Sequence, residues 1–499
     1  MADMDAAVPL ERVDLQVADT IAKPPVIVDS TGAPEAQRAH RRSRKLVELV
    51  AGFSLTRPEM LRGTPARVVL RGIGRQITQV QQFWSHSWHG YVWPKIALLY
   101  TSCNGVAAVV CGSLVVPVVS FLLVVGMGIF QSPWPRIVGT LTSVFVLLAW
   151  RPSKTVFVDN ICVDQQDPKL MSEGVVNIGG IVKNSKSMLV CWDSTYLSRL
   201  WCVLEVAAFL KTHDAAEKNL YIRPTSWGSV TCMLFLIFSV LRTGEDLVTN
   251  LLIPTQSWAH MDQGEFFANT LLFQFGSAIV KVPLTMLLAH VWRGHLRALE
   301  SAFSQLSDFS FERDIRCHCC SLNHINPTTG RRMVCDHDTI RECLCTWFGS
   351  VADFEEVMRC RVSEVFQKHL KRHALPYHWI LGITCVNCWG LLATIPPTIY
   401  FGDGLSAAVT MLLTLGFWLA VQPVLLLVQL KFAYLLRRCH GRCEEFLKNL
   451  AVALIAVTLD IAITMGETAL LFLIGELWLS SLVFVLIFAI IAVVMFCCC

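Results

Sequence analysis

The sequence predicts an α-helical polytopic membrane protein, with about eight transmembrane helices and a small cytosolic α/β domain. The first observation is composition: 54% of the 499 residues are hydrophobic and 16% are charged, whereas about 25% of the residues in an ordinary soluble chain are charged. The second is a series of apolar stretches that approach or exceed the roughly 20 residues needed to cross a bilayer as a helix. The third is the clustering of Lys and Arg between pairs of these stretches.

Six of the apolar stretches have the length of a full crossing. They lie near residues 105–130, 265–292, 377–400, 405–430, 449–473 and 477–496. Two shorter stretches, 137–150 and 226–241, would be about 21 to 24 Å long as helices. We count them as spans because each is close in sequence to a full-length stretch, and QSPWPR at 131–136 is a typical turn. The eight spans then form four hairpins, the last with a cysteine-rich end: 96–150, 226–292, 377–430 and 449–499.

The positive charges predict the side of the membrane that each connecting segment faces. Lys and Arg accumulate on the cytoplasmic side, and nearly all 42 of them lie in residues 1–95, 151–225, 293–376 and 431–448. Both termini are therefore expected in the cytosol, and the lipid bilayer is the first expected partner. Nucleic acid is not expected as a partner, because membrane orientation explains the net charge of +4.

The cytosolic segments differ in character. Residues 1–78 mix charges with Pro and Ala, which predicts a flexible arm. Residues 79–95 contain the expected first strand of the α/β domain, and residues 151–225 contain the rest of it. Residues 293–376 are expected to be a Cys- and His-rich helical region, and residues 431–448 a basic loop.

The segment from Thr155 to His213 has the pattern of a parallel α/β sheet. Short apolar, β-branched runs at 155–158 and 187–192 predict buried strands. Apolar residues at helical spacing predict one helix between these strands and a second over about 198–210. Strand, helix, strand, helix favours a flavodoxin-like sheet, whose ligands bind beyond the carboxyl ends of the strands.

Three short sequences in and before this segment resemble known signalling domains. FVDNICVDQQD at 157–167 looks like the signature of the fungal heterokaryon-incompatibility (HET) domain. SRLWCVLEVAAF at 198–209 resembles the Trp-Cys-x-x-Glu helix of Toll/interleukin-1 receptor (TIR) domains, and QQFWSHSWHG at 81–90 resembles their first-strand box. The order implies that a membrane hairpin is inserted between the first two strands. The alternative is that 81–90 is an interfacial segment anchored by its tryptophans.

The resemblance implies a candidate NAD site. In TIR domains that cleave NAD, the glutamate of the Trp-Cys-x-x-Glu helix is the catalytic acid, and Glu205 occupies that position. Ser85, His86, Asp159 and Trp201 are the implied nucleotide-binding residues. The simpler alternative is that Glu205 is an exposed glutamate near a helix start.

The predicted function is a signalling or assembly module that forms homo-oligomers, with NAD nucleosidase activity as the candidate chemistry. Many TIR relatives only assemble, and fold does not imply activity. The loop 159–167 also departs from the catalytic TIR pattern, because it follows the fungal HET signature.

A second candidate site lies in the cytosolic segment 293–376. Nine Cys and His residues occur within 317–345, and thiolate and imidazole groups at this density are typical of tetrahedral zinc sites. The predicted ligands are Cys317, Cys320, His324 and Cys335. The segment lacks paired CxxC motifs, so reduced structural cysteines are the alternative.

Ionisable residues inside the predicted spans support an alternative function, an ion- or proton-coupled transporter or channel. Asp460 and Glu467 are seven residues apart and so share a helix face, and Lys281 lies in the middle of another span. The interpretation requires the last turn to fall at Gly475, because a turn at Gly466 would place Glu467 in a loop.

Overall fold

The structure is a computed structural model that describes residues 44–65, 75–77, 79–129, 132–150, 154–163, 167–252, 263–325, 334–370, 377–401 and 404–498. The chain divides into two compact units, each built from three separate stretches of sequence. The α/β unit contains Met1–Tyr91, Arg151–Pro224 and Ser301–His369. The helical unit contains Val92–Trp150, Thr225–Glu300 and Leu370–Cys499.

A mixed sheet forms the centre of the α/β unit. Its neighbours follow the order β2-β1-β4-β3-β5-β6. Strands β3 to β6 are parallel to their neighbours among themselves, whereas β1 is antiparallel to both β2 and β4. The predicted parallel sheet is therefore present in four strands, and the prediction is wrong for the other two. The strands are β1 Arg62–Pro65, β2 Arg75–Gln76, β3 Gln82–His86, β4 Thr155–Phe157, β5 Met188–Trp192 and β6 Leu220–Pro224.

Strand β3 lies inside the sheet, between β4 and β5. Phe83 is opposite Phe157 on one side and opposite Met188 on the other, and the two phenylalanine rings stack with centroids 5.0 Å apart. Phe83 and Trp84 are buried, so this segment is a core strand. The predicted pairing of β3 with β4 is present, although long helices separate the two strands in sequence.

The α/β unit also contains a series of helices. The helix Leu200–Thr212 is apolar on almost every side and buried at every position from Leu200 to Leu210 except Trp201, as expected for a helix inside a core. The others in this unit are residues 44–51, Asp159–Cys162, Pro168–Val176, Ile178–Lys183, Ala216–Asn219, Phe311–Asp314, His318–Ser321, Asp336–Phe348, Val351–Val357 and Ser363–Leu370, with 3₁₀ turns Pro58–Met60 and Tyr196–Ser198 and the π-helical turn Met358–Val362.

The prediction of a flexible arm over residues 1–78 is wrong for part of that segment. Residues 44–51 are helical, and β1 and β2 join the sheet edge. Trp347 stacks on Phe53 with centroids 4.6 Å apart, which ties the segment to the core. Residues 1–43 lie outside the described residues.

The helical unit contains long apolar helices. In the described part of the chain, seven are long and apolar enough to cross a membrane, and the 16-residue helix Trp134–Ala149 is apolar but shorter. The predicted helical architecture is thus confirmed in outline, with seven described helices of spanning length where about eight were predicted. That these helices cross a membrane, and the side on which each terminus lies, stay predictions. The helices are Val92–Met127, Trp134–Ala149, Ser226–Leu252, Gln263–Ser307, Tyr377–Phe401, Gly404–Gly416, Gln422–Leu435, Arg442–Ile474 and Leu477–Val493, with π-helical turns Phe417–Val421 and Val494–Cys498.

Several helices extend beyond the predicted boundaries. The helix from Ser226 reaches Leu252 and not only residue 241, the helix Gln263–Ser307 continues past residue 292, and the basic loop shrinks to residues 436–441. Some charged residues that predicted a loop instead form ion pairs within a helix. Lys448, for example, pairs with Glu444 one turn earlier in the same helix.

Two helices of this unit approach each other closely at a glycine. A Cβ atom at Gly228 would lie 2.0 Å from the backbone nitrogen of Leu98 and 2.3 Å from the carbonyl carbon of Ala97. Small residues of this kind allow the backbones of membrane helices to pack closely. The absence of a side chain at Gly228 is therefore a condition of this contact.

Candidate functional sites

The carboxyl ends of β3 and β4 bring three predicted site residues to one edge of the sheet. Ser85 and His86 are the last two residues of β3, and Asp159 follows β4 after one residue. His86 Nδ1 lies 3.8 Å from Asp159 Oδ1. This edge is the one at which parallel α/β sheets bind ligands.

The helix Leu200–Thr212 supplies Glu205 to the same place. Ser85 Oγ donates a hydrogen bond to Glu205 Oε2 at 2.5 Å, although 120 positions separate the two residues in sequence. Trp201 lies half-buried in the first turn of this helix, and no described hydrogen bond joins it to the other predicted residues. The structure therefore joins four of the five predicted residues in two contacting pairs, Ser85 with Glu205 and His86 with Asp159. Trp201 is placed only on the helix that carries Glu205.

Tyr196 completes the buried part of this site and was not predicted. Its hydroxyl lies 2.5 Å from Ser85 Oγ, so Tyr196, Ser85 and Glu205 form a continuous hydrogen-bonded row in which all three are buried. The sequence contains one signal for it: Tyr196 falls in the segment after β5, at the predicted ligand edge. Nothing in the spacing distinguishes it from the neighbouring polar residues.

Burial controls the charge of Glu205. The loss of water around this carboxyl raises its pKa well above the usual range, and the negative charge of Asp159 raises the pKa further, while the hydrogen bond from Ser85 opposes both effects. Burial also raises the pKa of the Tyr196 phenol. The buried site therefore favours a protonated, neutral Glu205, and perturbed carboxyls of this kind are candidates for catalytic groups.

Further polar contacts lie near this edge of the sheet. Trp88 Nε1 donates to Asp159 Oδ2 at 2.7 Å, and the indole stacks with the His86 ring at 6.0 Å between centroids. Ser87 Oγ and Thr195 Oγ1 lie 2.7 Å apart. Of the loop 159–167, residues 164–166 lie outside the described residues. Because Glu205 is only 5% exposed, a substrate would reach its carboxyl only if the residues around it moved.

The Cys and His cluster of the α/β unit gathers four possible metal ligands. Cys319, Cys320, His324 and Cys335 each offer an atom within 4.8 Å of the others. This group could hold a metal ion, and it shares three members with the predicted set. Cys319 stands where Cys317 was predicted, and Cys317 instead belongs to a second group with Cys319 and Asp336.

The helical unit contains a buried cluster of opposite charges. Lys281 Nζ lies 3.0 Å from Asp460 Oδ2 and 3.1 Å from Glu245 Oε1. Arg242 pairs with Glu245 at 2.7 Å and approaches Asp460 at 3.7 Å. Two basic and two acidic side chains therefore balance one another, which lowers the cost of burying each of them.

A cavity adjoins this cluster. Arg242, Lys281 and Asp460 line it, together with polar side chains from two further helices, Asn387 and Gln422, whose amide groups are joined by a 2.7 Å hydrogen bond. The remaining lining residues are Phe238, Leu241, Thr285, Thr384, Leu425, Leu426, Gln429, Ala456 and Val457. A polar cavity within a bundle of apolar helices is a typical setting for functional ionisable residues.

The position of the turn before the last long helix decides whether Glu467 is helical or lies in a loop. The helix Arg442–Ile474 continues through this residue and ends at Gly475, which has a left-handed φ of 76°. Glu467 is therefore helical, as the transporter hypothesis requires. However, Glu467 takes part in none of the ion pairs between described residues, so Asp460 alone joins the charge cluster.

The comparisons with known proteins add no relative to these observations. No family model, no curated protein and no solved structure was found to match this chain.

Proposed function

We propose that this multi-pass membrane protein carries its α/β unit as a signalling module of the TIR or HET type, in which self-association opens the sheet edge and allows Glu205 to cleave NAD. One observation supports the proposal most: the contact between Ser85 and Glu205 at the carboxyl edge of the sheet. It unites the two sequences that resemble TIR domains, the first-strand box and the Trp-Cys-x-x-Glu helix.

The proposed chemistry is hydrolysis of the bond between the ribose C1′ and the nicotinamide nitrogen. The electron pair of that bond leaves with nicotinamide, and water adds to C1′, giving ADP-ribose and a proton. An ionised Glu205 would stabilise the cation that develops at the ribose. In the buried state the carboxyl favours the neutral form, so the proposal requires that opening the edge hydrates Glu205 and lets it ionise.

Nicotinamide release from NAD tests this proposal. We expect detergent-solubilised protein to release nicotinamide at high protein density, and Glu205→Gln to reduce the rate by at least about 100-fold, the lower range for loss of a catalytic acid or base. Glu217→Gln is the matched control, because Glu217 is an exposed glutamate of the same unit that pairs with Arg361, and it should retain the rate.

Self-association is measured separately, by chemical crosslinking in membranes. Equal turnover in Glu205→Gln and the wild type would remove Glu205 from catalysis. Crosslinked oligomers with no nicotinamide release at any density would contradict the enzymatic part of the proposal and retain a scaffold. The absence of both crosslinked oligomers and nicotinamide release would contradict the whole proposal.

A second candidate function is ion- or proton-coupled transport, and the contact of Lys281 with Asp460 beside the cavity favours it. We expect Asp460→Asn to abolish a flux driven by a proton, sodium or potassium gradient in liposomes, because the variant removes one acidic partner of both Lys281 and Arg242. Glu476→Gln, an exposed position before the last helix, is the control and should transport normally. If the unmodified protein conducts no flux under these three gradients, this candidate is excluded.

A further inference from the structure

We propose that Cys319, Cys320, His324 and Cys335 bind one zinc ion in a closed tetrahedral site. With zinc–sulfur bonds of about 2.3 Å, two thiolates of a tetrahedral site lie about 3.8 Å apart. The Sγ atoms of Cys320 and Cys335 are 3.6 Å apart, and those of Cys319 and Cys335 are 4.0 Å apart. Two of the three sulfur–sulfur distances are thus close to those of ligands on one ion, and the Sγ atoms of Cys319 and Cys320 lie within 4.8 Å of each other.

The local backbone brings His324 to these thiols. The short helix His318–Ser321 carries two of the cysteines, and the chain then turns back through Asn323 and His324, whose φ angles of 52° and 60° are left-handed. The His324 N–H donates to the Cys319 carbonyl at 2.9 Å. Two successive non-glycine residues in this conformation are energetically unfavourable, and metal ligation would offset that cost.

The polar atoms of the cluster also fit a bound ion. His324 Nε2 is buried and has no hydrogen-bond partner among the described residues, although buried imidazole nitrogens usually have one. The Asp336 N–H donates to Cys319 Sγ at 3.4 Å, a contact that stabilises a thiolate ligand from the second coordination shell. A set of three sulfurs and one imidazole suits zinc, whereas calcium and magnesium require oxygen ligands.

The geometry separates Cys317 from this ligand set. Its Sγ lies only 2.9 Å from Cys319 Sγ, which is shorter than the separation of two thiolates on one tetrahedral zinc. Both sulfurs therefore cannot bind one ion at this spacing, and we assign Cys319 as the ligand because its Sγ lies within 4.8 Å of the ligand atoms of Cys320, His324 and Cys335.

The ion would connect two parts of the α/β unit. Cys319, Cys320 and His324 precede the helix Asp336–Phe348, and Cys335 is the residue at its start. This helix packs on residues 44–51, where Trp347 Nε1 donates to the Ala51 carbonyl at 3.1 Å. Zinc would thus fix the first turn of a helix that holds the N-terminal segment in place.

Metal content tests the assignment. The full chain, purified in detergent without chelator, should contain about one zinc per chain by inductively coupled plasma mass spectrometry. Cys335→Ser and Cys319→Ser should lose the zinc, whereas Cys317→Ser should keep it. Cys345→Ser is the matched control, because Cys345 is an exposed cysteine of the helix Asp336–Phe348, and it should also keep the zinc.

A second measurement covers the case in which a ligand variant fails to fold. Wild-type protein in which cobalt replaces zinc should show the visible absorption of tetrahedral cobalt and a thiolate-to-cobalt charge-transfer band. Wild-type protein without zinc, with all cysteines open to thiol reagents, would overturn the proposal. Zinc retained in soluble Cys335→Ser, or iron found in place of zinc, would also overturn it.

Discussion

Replacing Gly228 with alanine is expected to destabilise the helical unit strongly. The new methyl group would lie 2.0 Å from the backbone nitrogen of Leu98, and backbone within a long helix cannot move aside as the end of a side chain can. Overpacking typically costs about 1–3 kcal/mol, and contact with backbone places this variant at about 3 kcal/mol, the upper end of that range. Thermal unfolding of the detergent-solubilised protein, followed by tryptophan fluorescence, measures the effect.

Gly244→Ala is the matched control for this variant. Gly244 lies in the same helix, Ser226–Leu252, and no described atom lies within 4 Å of a Cβ added there. Alanine should stabilise a helix at such a position by up to about 1 kcal/mol relative to glycine. Equal unfolding temperatures for the two variants would show that the close approach at Gly228 does not exist.

Arg293→Met is expected to have the largest effect of any single substitution proposed here. Arg293 is fully buried, and its guanidinium donates to the Leu436 carbonyl at 2.9 Å and to Asn449 Oδ1 at 2.6 Å while pairing with Glu445 at 3.2 Å. Glu445 keeps Arg297 as a partner, but the Leu436 carbonyl and Asn449 Oδ1 lose this donor, and each unsatisfied buried acceptor typically costs about 1–3 kcal/mol. Denaturant-free thermal unfolding should show a correspondingly large fall in midpoint, with loss of yield.

Arg297→Met provides the comparison. Arg297 lies one turn further along the same helix and also contacts Glu445, but 35% of its side chain is exposed. Solvent screens such pairs, so about 1 kcal/mol or less is expected. If Arg297→Met destabilises the protein as much as Arg293→Met, burial is not the reason for the effect.

Much of the sheet could be predicted because its central strands carry strong local patterns. The apolar, β-branched runs at β4 and β5 and the box at β3 are recognisable without the fold, and parallel pairing then places Ser85 and Asp159 at one edge. In contrast, β1 reads Arg-Gly-Thr-Pro and β2 has two residues. Such segments have little strand propensity of their own. β1 forms a strand by pairing with the edge of β4, and β2 by pairing with β1.

The residues of the candidate sites also divide into those that the sequence predicts and those that it does not. Glu205 was identifiable from its motif, whereas Tyr196 and Cys319 are selected by distances that sequence spacing does not determine. Glu245, one of the two acidic partners of Lys281, was missed for a different reason. The sequence placed Glu245 outside a span, because the apolar stretch ends near residue 241, while the helix actually continues to Leu252 and carries Arg242 and Glu245 with it. Charged residues that satisfy one another do not end a helix.

The position of β3 between β4 and β5 has a consequence for biosynthesis. The ribosome makes β3 about 100 residues before it completes β5, which takes roughly 5–20 s at ordinary translation rates. Both edges of this apolar strand lack their partners for about the first 70 residues, until β4 is made, and the edge that pairs with β5 lacks its partner for the whole interval. Unpaired strand edges promote aggregation, so the nascent chain depends on a chaperone, or on rapid membrane insertion, to reach its native pairing.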